Sequence, residues 1–498
     1  MKIRLTLVHL ILGLLPFFLM VSCSKAQKSP KLLEDLTPYI ETKMEEYHVP
    51  GLAVGIVKGE KLIYAQGFGY RDVKRRLPVT LHTLFAIGST TKAITAVGLC
   101  QLVDRNLLDL DQPLHHYLPK FKLADEYITQ HITTRDLLCH RSGLPRHDLV
   151  WYGSNLKRKE IIQRLKYLES SKGFRSHFQY QNMMYVTAGH LVNYISGKSW
   201  EEYTRTNILE PLEMVRTNFS VEISKKDSDH ALPYSKENGK VVNIPFRKID
   251  AIGPAGSINS CIQDLSHWVA MQLNKGKYQN KQIVSSKMLK ETHTPQIVVP
   301  GDPNNLLFYS FYGLGWGVTS YRGHLRVAHG GSIDGFISEI ALFPKDTLGI
   351  ILLTNLTHND LTVLLRNKLA DHFLKLTEYD WESHLKREKR KHLRPKYVRR
   401  VTNTDPSQVL EAYTGKYKHP AYGILEITIQ QYELHLHFNS FDTPLIHYHY
   451  DTFEAQNSAI ATKKFTFHPG KRGIIERISV PFQEGVEDIV FTRVESEP

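Results

Sequence analysis

The sequence predicts an α+β chain: an antiparallel sheet flanked by helices, followed by a small all-β barrel domain. Three observations carry this reading. Strand-like runs occur at residues 51–70 and again at 324–355. A long stretch with mainly helical spacing separates them, which suggests one sheet closed from both ends with helices packed on it. Beyond about Pro406 apolar and polar residues alternate with no helical segment. A chain of 498 residues, 42% hydrophobic, is long enough to bury one large core and a second smaller one.

In chain order, Lys2 and Arg4 precede an apolar run from Leu5 to Val21, interrupted by His9 and Pro16, which reads as a secretory signal over residues 1–22. The run ends in LMVSC, a pattern resembling the bacterial lipobox, so Cys23 is expected as a lipidated first residue of an exported, membrane-anchored protein facing the periplasm or the cell surface. Ordinary cleavage after Ala26 is the alternative. Leu33, Leu36, Ile40, Met44 and Tyr47 have helical spacing and open the mature fold. GLAVGIV and KLIYAQGFGY follow as two paired strands around Lys58-Gly59-Glu60. HLRVAHGG, FISEIALFP and LGIILLTN form a later meander, broken by GGSIDG and by Lys345-Asp346-Thr347.

The formal charge of +13 would suggest an anionic partner, but residues 386–400 hold nine Lys or Arg against one Glu, a net +8 of that +13. Without this run the balance is ordinary, and no nucleic-acid partner is expected. The basic stretch, taken as 386–406, reads as a solvated linker between a first domain at 31–385 and an all-β domain at 407–498. Anionic lipid or cell-wall polymer is its other candidate ligand. In the second domain Leu425, Ile427 and Ile429, then Leu434, Leu436 and Phe438, alternate with polar residues. Apart from Cys23 the cysteines are Cys100, Cys139 and Cys261, an odd number that implies buried thiols and no disulfide framework.

Four Ser-x-x-Lys spacings occur, and only FAIGSTTK, with Ser89 and Lys92, stands at the mouth of an apolar helix. An isolated match would be a helix cap followed by a surface lysine. Here residues three apart share one helix face, so the lysine reaches the serine Oγ, and burial beside Ile94, Ala96 and Val97 lowers its pKa. Tyr180-Gln181-Asn182 opens a second helix. A phenol beside a lysine ammonium has a depressed pKa and is expected as a base. Tyr278-Gln279-Asn280 repeats the tripeptide in a polar turn and is set aside. His329-Gly330-Gly331-Ser332 lies on and just after a strand, where the glycines admit a substrate backbone.

The order Ser-x-x-Lys, Tyr-x-Asn, His-x-Gly resembles the penicillin-recognising serine hydrolases: class C β-lactamases, DD-carboxypeptidases, D-aminopeptidases and their esterase relatives. The resemblance covers roughly residues 34–375 and extends to SGLP (142–145) and PAGSINS (254–260). It implies a β-lactamase/transpeptidase-like fold in which Ser89 attacks a carbonyl and Lys92 and Tyr180 manage its proton. Asn182 would position the substrate or Lys92, His329 through Ser332 would form the substrate edge, and the N–H groups of Ser89 and Ser332 would hold the oxyanion. No metal or other cofactor is implied. The expected activity is cleavage of an ester or of a peptide bond, including bonds to D-amino acids, in a small-molecule or peptide substrate. A β-lactamase or DD-carboxypeptidase is the runner-up, and an acylated receptor without turnover is the third reading.

Where those β-lactamases carry Lys-Thr-Gly this chain has His329-Gly330-Gly331, a histidine mostly neutral at pH 7. It is expected to gain charge toward pH 6 and then favour carboxylate-bearing substrates. The second domain resembles, more loosely, the lipocalin-like barrel of some relatives, on its alternation and on YTGKY (413–417). Its His435, His437, His447 and His449 read as a wetted face rather than as a metal site.

Overall fold

The computed structural model describes residues 36–301, 306–392, 400–456, 460–471 and 473–494. The expected signal, Cys23, Leu33 and the centre of the basic run lie outside these residues. Helix α1 (Leu36–Glu46) buries Ile40 and Met44. Strands β1 (Gly51–Lys58) and β2 (Lys61–Asp72) pair around a two-residue turn, and β3 (Leu77–Pro78) adds an edge. After a helical region come β4 (Ile297–Val298), β5 (Leu307–Tyr312), β6 (Gly317–Tyr321), β7 (His324–Ile333), β8 (Phe336–Phe343) and β9 (Leu348–Thr354).

The sheet order is β4-β5-β6-β7-β8-β9-β1-β2-β3. The last strand therefore pairs with the first, with Leu52 opposite Thr354 and Lys58 opposite Leu348. This is the sheet closed from both ends that the two strand groups predict. Its central strands are covered on both faces, so β1 is buried from Gly51 to Val57 and reads as one apolar run without alternation.

One face packs against helices α2 (Thr91–Asp104), α3 (Asn182–Ser196) and α4 (Ile262–Leu273) in a single apolar cluster. Helix α2 is buried from Thr91 to Leu102, so it carries no polar stripe. The other face packs α1 and α5 (Leu361–Phe373). There, α6 (Trp381–His392) is anchored by Trp381, whose indole N–H donates to Asp371 at 2.7 Å.

The basic stretch thus begins as helix. Lys386 pairs with Glu382 at 2.8 Å and Lys389 with Asp360 at 3.2 Å, so its first residues continue α6. Lys, Arg and Glu are good helix formers, and the run's charge was no argument against a helix there.

The second domain is a closed barrel of eight strands: β10 (Gly415–His419), β11 (Gly423–Gln430), β12 (Glu433–Phe438), β13 (Phe441–His449), β14 (Thr452–Ala455), β15 (Lys464–Pro469), β16 (Ile475–Val480) and β17 (Ile489–Arg493). Rings fill its interior: Phe438 stacks on Phe482 at 5.3 Å, and Tyr413 meets Phe453 and Phe467 edge-on at 5.3 and 5.1 Å. On β12 the buried Leu434, Leu436 and Phe438 alternate with outward His435 and His437. Those two imidazoles face Asp442 at 3.3 and 3.4 Å, while His447 meets the Tyr450 carbonyl at 2.8 Å. Among the described residues no group of three or more His, Cys, Asp or Glu side chains is arranged to hold a metal ion.

Candidate active site

Ser89 lies on a 3-10 turn, Gly88–Thr90, that runs directly into α2. Gly88 has φ +50°, and a Cβ there would stand 2.9 Å from the Ser332 main-chain N. A Cβ on Gly331 would stand 2.0 Å from the Ile87 carbonyl O. Only glycines at both positions let the turn and β7 approach this closely.

The register of β7 sets what faces that approach. Strand β6 pairs with β7 only as far as Ala328, so residues 329–333 have a free edge. The Asp334-Gly335 turn closes the β7–β8 hairpin at the pair Ile333 and Phe336. Bonded and non-bonded pairs alternate in antiparallel sheet, so the main-chain groups of Gly330 and Ser332 point away from β8, toward the free edge.

Lys92 is fully buried. Its Nζ lies 3.2 Å from Ser89 Oγ, 2.8 Å from Asn182 Oδ1 and 2.7 Å from the Ala255 carbonyl O. Burial, and secondarily the Arg146 charge, hold its pKa well below the ordinary lysine value. A neutral amine has two N–H donors and one lone pair. Asn182 Oδ1 and the Ala255 carbonyl are acceptors only, so in the neutral form they take the two donors and the lone pair is left for the Ser89 hydroxyl proton.

Tyr180 precedes α3, whose N-cap is Gln181, with its side chain accepting the Met183 N–H. The Lys92 Nζ lies 4.8 Å from the Tyr180 ring centre. Burial pushes the Tyr180 phenol well above its ordinary value, against smaller lowering by Ser89 and by the Arg146 charge. This corrects the expectation of a depressed phenol: burial raises the Tyr180 pKa, and the same burial lowers that of the lysine whose charge would oppose it.

His329 is likewise corrected. It is buried, its Nδ1–H donates to the Gly330 carbonyl at 2.6 Å, and its Nε2 accepts the Tyr312 O–H at 2.9 Å. Burial lowers its pKa to about 3. Both nitrogens are committed and the ring does not gain charge near pH 6.

A cavity of about 250 Å³ opens onto Ser89, lined by Arg146, Asp148, Trp151, Ile249, Ile252 and Asp334 among others. Asp148 lies in none of the sequence motifs. Its Oδ1 accepts from Asn182 Nδ2 and from Trp151 Nε1, both at 2.9 Å, and its Oδ2 from Arg146 Nε at 2.7 Å. It stands three residues past SGLP, and that proximity was the available signal. His140 was missed too: its Nδ1 accepts the Gln181 N–H at 3.1 Å and its ring lies 4.3 Å from that of Tyr180.

Ser89, Lys92, Tyr180, Asn182 and the His329–Ser332 strand are therefore brought to one place. Tyr278-Gln279-Asn280 sits apart on a short hairpin, with Gln279 and Asn280 at φ +44° and +66°. Cys100, Cys139 and Cys261 are buried free thiols.

Both parts of the chain are similar to known proteins. The profile of the Beta-lactamase family matches residues 36–374, and that of a domain of unknown function (DUF3471) matches residues 399–493. The chain is 30% identical over 438 residues to unguisins hydrolase ungD' of Aspergillus campestris, covering 82% of this chain and 80% of that one. It is 29% identical over 330 residues to protein flp of Staphylococcus aureus, covering 65% and 63%. Among solved structures, the octameric penicillin-binding protein homologue from Pyrococcus abyssi superposes with a TM-score of 0.64 at 25% identity, covering 92% of this chain and all of that one.

Proposed function

The chain belongs to the Beta-lactamase family of serine hydrolases, and on that premise we propose that it cleaves an ester or peptide bond through an acyl-enzyme on Ser89. The observation that carries this reading is the setting of Lys92 Nζ, with two pure acceptors and the Ser89 hydroxyl as its neighbours. Ser89 gives its proton to the Lys92 lone pair as Oγ attacks the carbonyl carbon. The oxygen charge of the tetrahedral intermediate is met by the Ser89 and Ser332 N–H groups; losing one such donor costs about 10²- to 10³-fold. The C–O or C–N bond then breaks, and the leaving group takes the proton from Lys92 by way of the neutral Tyr180 phenol. Water, giving its proton to the same amine, adds to the acyl carbon and frees the acid and Ser89.

A second reading within this chemistry concerns charge. The role of a carboxylate-binding cation cannot fall to His329, whereas Arg146 lines the cavity with its side chain half exposed. The oxygens of Asp148 and Asp334 already accept protein donors. Spare capacity in the cavity is thus on the donor side, which favours a substrate bearing a carboxylate, as in a carboxypeptidase or β-lactamase, over a neutral ester. Export with a lipid anchor on Cys23 remains part of the same reading, resting on the LMVSC pattern.

The test is labelling and turnover. Ser89→Ala should abolish both fluorophosphonate labelling and hydrolysis of short esters, D-amino-acid amides and D-Ala-D-Ala peptides. Ser383→Ala, at another Ser-x-x-Lys on the far face of the sheet, should change neither. Labelling that persists in the Ser89 variant would refute the proposed nucleophile, and a burst of acylation without steady release would point to the receptor.

A further inference from the structure

We propose that the barrel hairpin Asn439–Phe441 is a brace across the active site, with Asn439 as a positioning residue for both the proton-handling side and the oxyanion side. The proposal rests on the reading of Ser89 as nucleophile for its catalytic consequence, but its geometry stands alone. Asn439, in the two-residue turn between β12 and β13, donates its side-chain amide to the Leu149 carbonyl at 2.9 Å and to the Tyr152 carbonyl at 3.1 Å. These two carbonyls follow Asp148 in one tight turn of the cavity wall.

One branch runs inward from that turn. Asp148 holds the Asn182 amide, and the Asn182 carbonyl oxygen accepts a hydrogen bond from Lys92 Nζ, the amine next to Ser89. The other branch runs through Tyr152. Its ring packs on Phe441 at 5.9 Å, and its hydroxyl donates to Asp334 Oδ1 at 2.5 Å. Asp334 is the first residue of the β7–β8 turn, at φ +34°, two residues beyond Ser332. One hairpin therefore bears on the groups that take the serine proton and on the turn that sets the Ser332 N–H.

The seam is built tight. Gly153 has φ +70°, and a Cβ there would stand 2.5 Å from Ser440 Oγ and 3.2 Å from the Phe441 ring. Two further barrel segments grip the same wall: Gln483 Oε1 accepts the His147 N–H at 2.6 Å, and the Tyr422 hydroxyl lies 2.8 Å from His147 Nδ1. A barrel filled with stacked rings supplies a rigid support for such a contact. A domain acting only as a spacer or a ligand carrier has no need to hold the wall of the cleft.

The experiment uses the full chain with Asn439→Asp, which keeps the shape and removes both donors, and Gly153→Ala, which pushes the hairpin away. Hydrogen–deuterium exchange should rise in both segments 146–152 and 329–336, with no change in α2. The rate of Ser89 labelling by a fluorophosphonate should fall about 10- to 100-fold, and hydrolysis should lose kcat with little change in KM. Asn439→Gln, which can still donate, should recover part of the rate. Unchanged exchange in the two segments, or a rise confined to the barrel or to one of them, would overturn the brace. If the wild type is not labelled at Ser89, the proposed reaction fails while the exchange result still decides the brace.

Discussion

The Tyr312 hydroxyl donates to His329 Nε2 across 2.9 Å, while His329 Nδ1 is tied to the neighbouring Gly330 carbonyl. A ring so placed, with its pKa lowered to about 3, is neutral throughout the range in which the enzyme can be assayed. The ratio of kcat/KM for a carboxylate-bearing substrate to that for its neutral amide should therefore be the same at pH 6 and pH 8. A ratio that rises on acidification would show that His329, or another histidine, charges in the cleft.

Arg146 should carry that preference instead. Its guanidinium lies 5.0 Å from the Tyr180 ring centre and pairs with Asp148 through Nε and Nη2. One charge-assisted hydrogen bond is worth about 1.5 to 3 kcal/mol, so Arg146→Gln should lower the carboxylate-to-neutral ratio by roughly 10- to 100-fold, and Arg146→Lys by less. Matched-substrate kinetics measure the ratio directly, and they cancel any loss common to both substrates. An unchanged ratio in Arg146→Gln would remove the carboxylate reading.

Acid should also weaken the fold. The buried His329 and the partly buried His293 have pKa values lowered by desolvation to about 3 and about 4, against about 6.5 when unfolded. Between about pH 6.5 and those values the unfolded chain binds protons that the folded chain does not. Stability then falls with falling pH, by up to about 1.4 kcal/mol per pH unit for each group. Thermal unfolding should show a lower Tm at pH 5 than at pH 7, and His293→Gln should flatten that slope. An equal or higher Tm at pH 5 would mean these rings are not held neutral.

Attachment to the membrane tests the N-terminal reading. Cys23→Ala should move the protein from the membrane to the soluble fraction, because the basic run alone would give only a weak, salt-sensitive hold. Unaltered fractionation would favour ordinary cleavage after Ala26.

Much of this was legible in the chain because the signals were local. Strand alternation showed in Leu434, Leu436 and Phe438, and the Ser89 turn announced itself as two polar residues at the start of an apolar helix. What was not legible depended on contacts distant in sequence. The state of Tyr180 and His329 follows from burial among Tyr185, Tyr312 and His140, which no spacing reveals. Asp148 belongs to no motif, and its role comes from Asn182, 34 residues on, which the fold brings onto it. The seam between Asn439 and Leu149 spans 290 residues.

Asp148 gives the sharpest test of Lys92 as the base. The Lys92 pKa is lowered by burial first and by Arg146 second, and it is raised by Asp148. The acid limb of kcat/KM reports the group of the free enzyme that must be deprotonated. If that group is Lys92, Asp148→Asn removes the raising charge, and the limb should move to lower pH. The plateau should fall about tenfold as Asn182 loses its charged acceptor. Lys92→Arg should abolish acylation altogether, since a guanidinium does not give up its proton in this range. A limb in Asp148→Asn that stays in place or moves to higher pH would mean that the titrating base is not Lys92, and the role would pass to Tyr180.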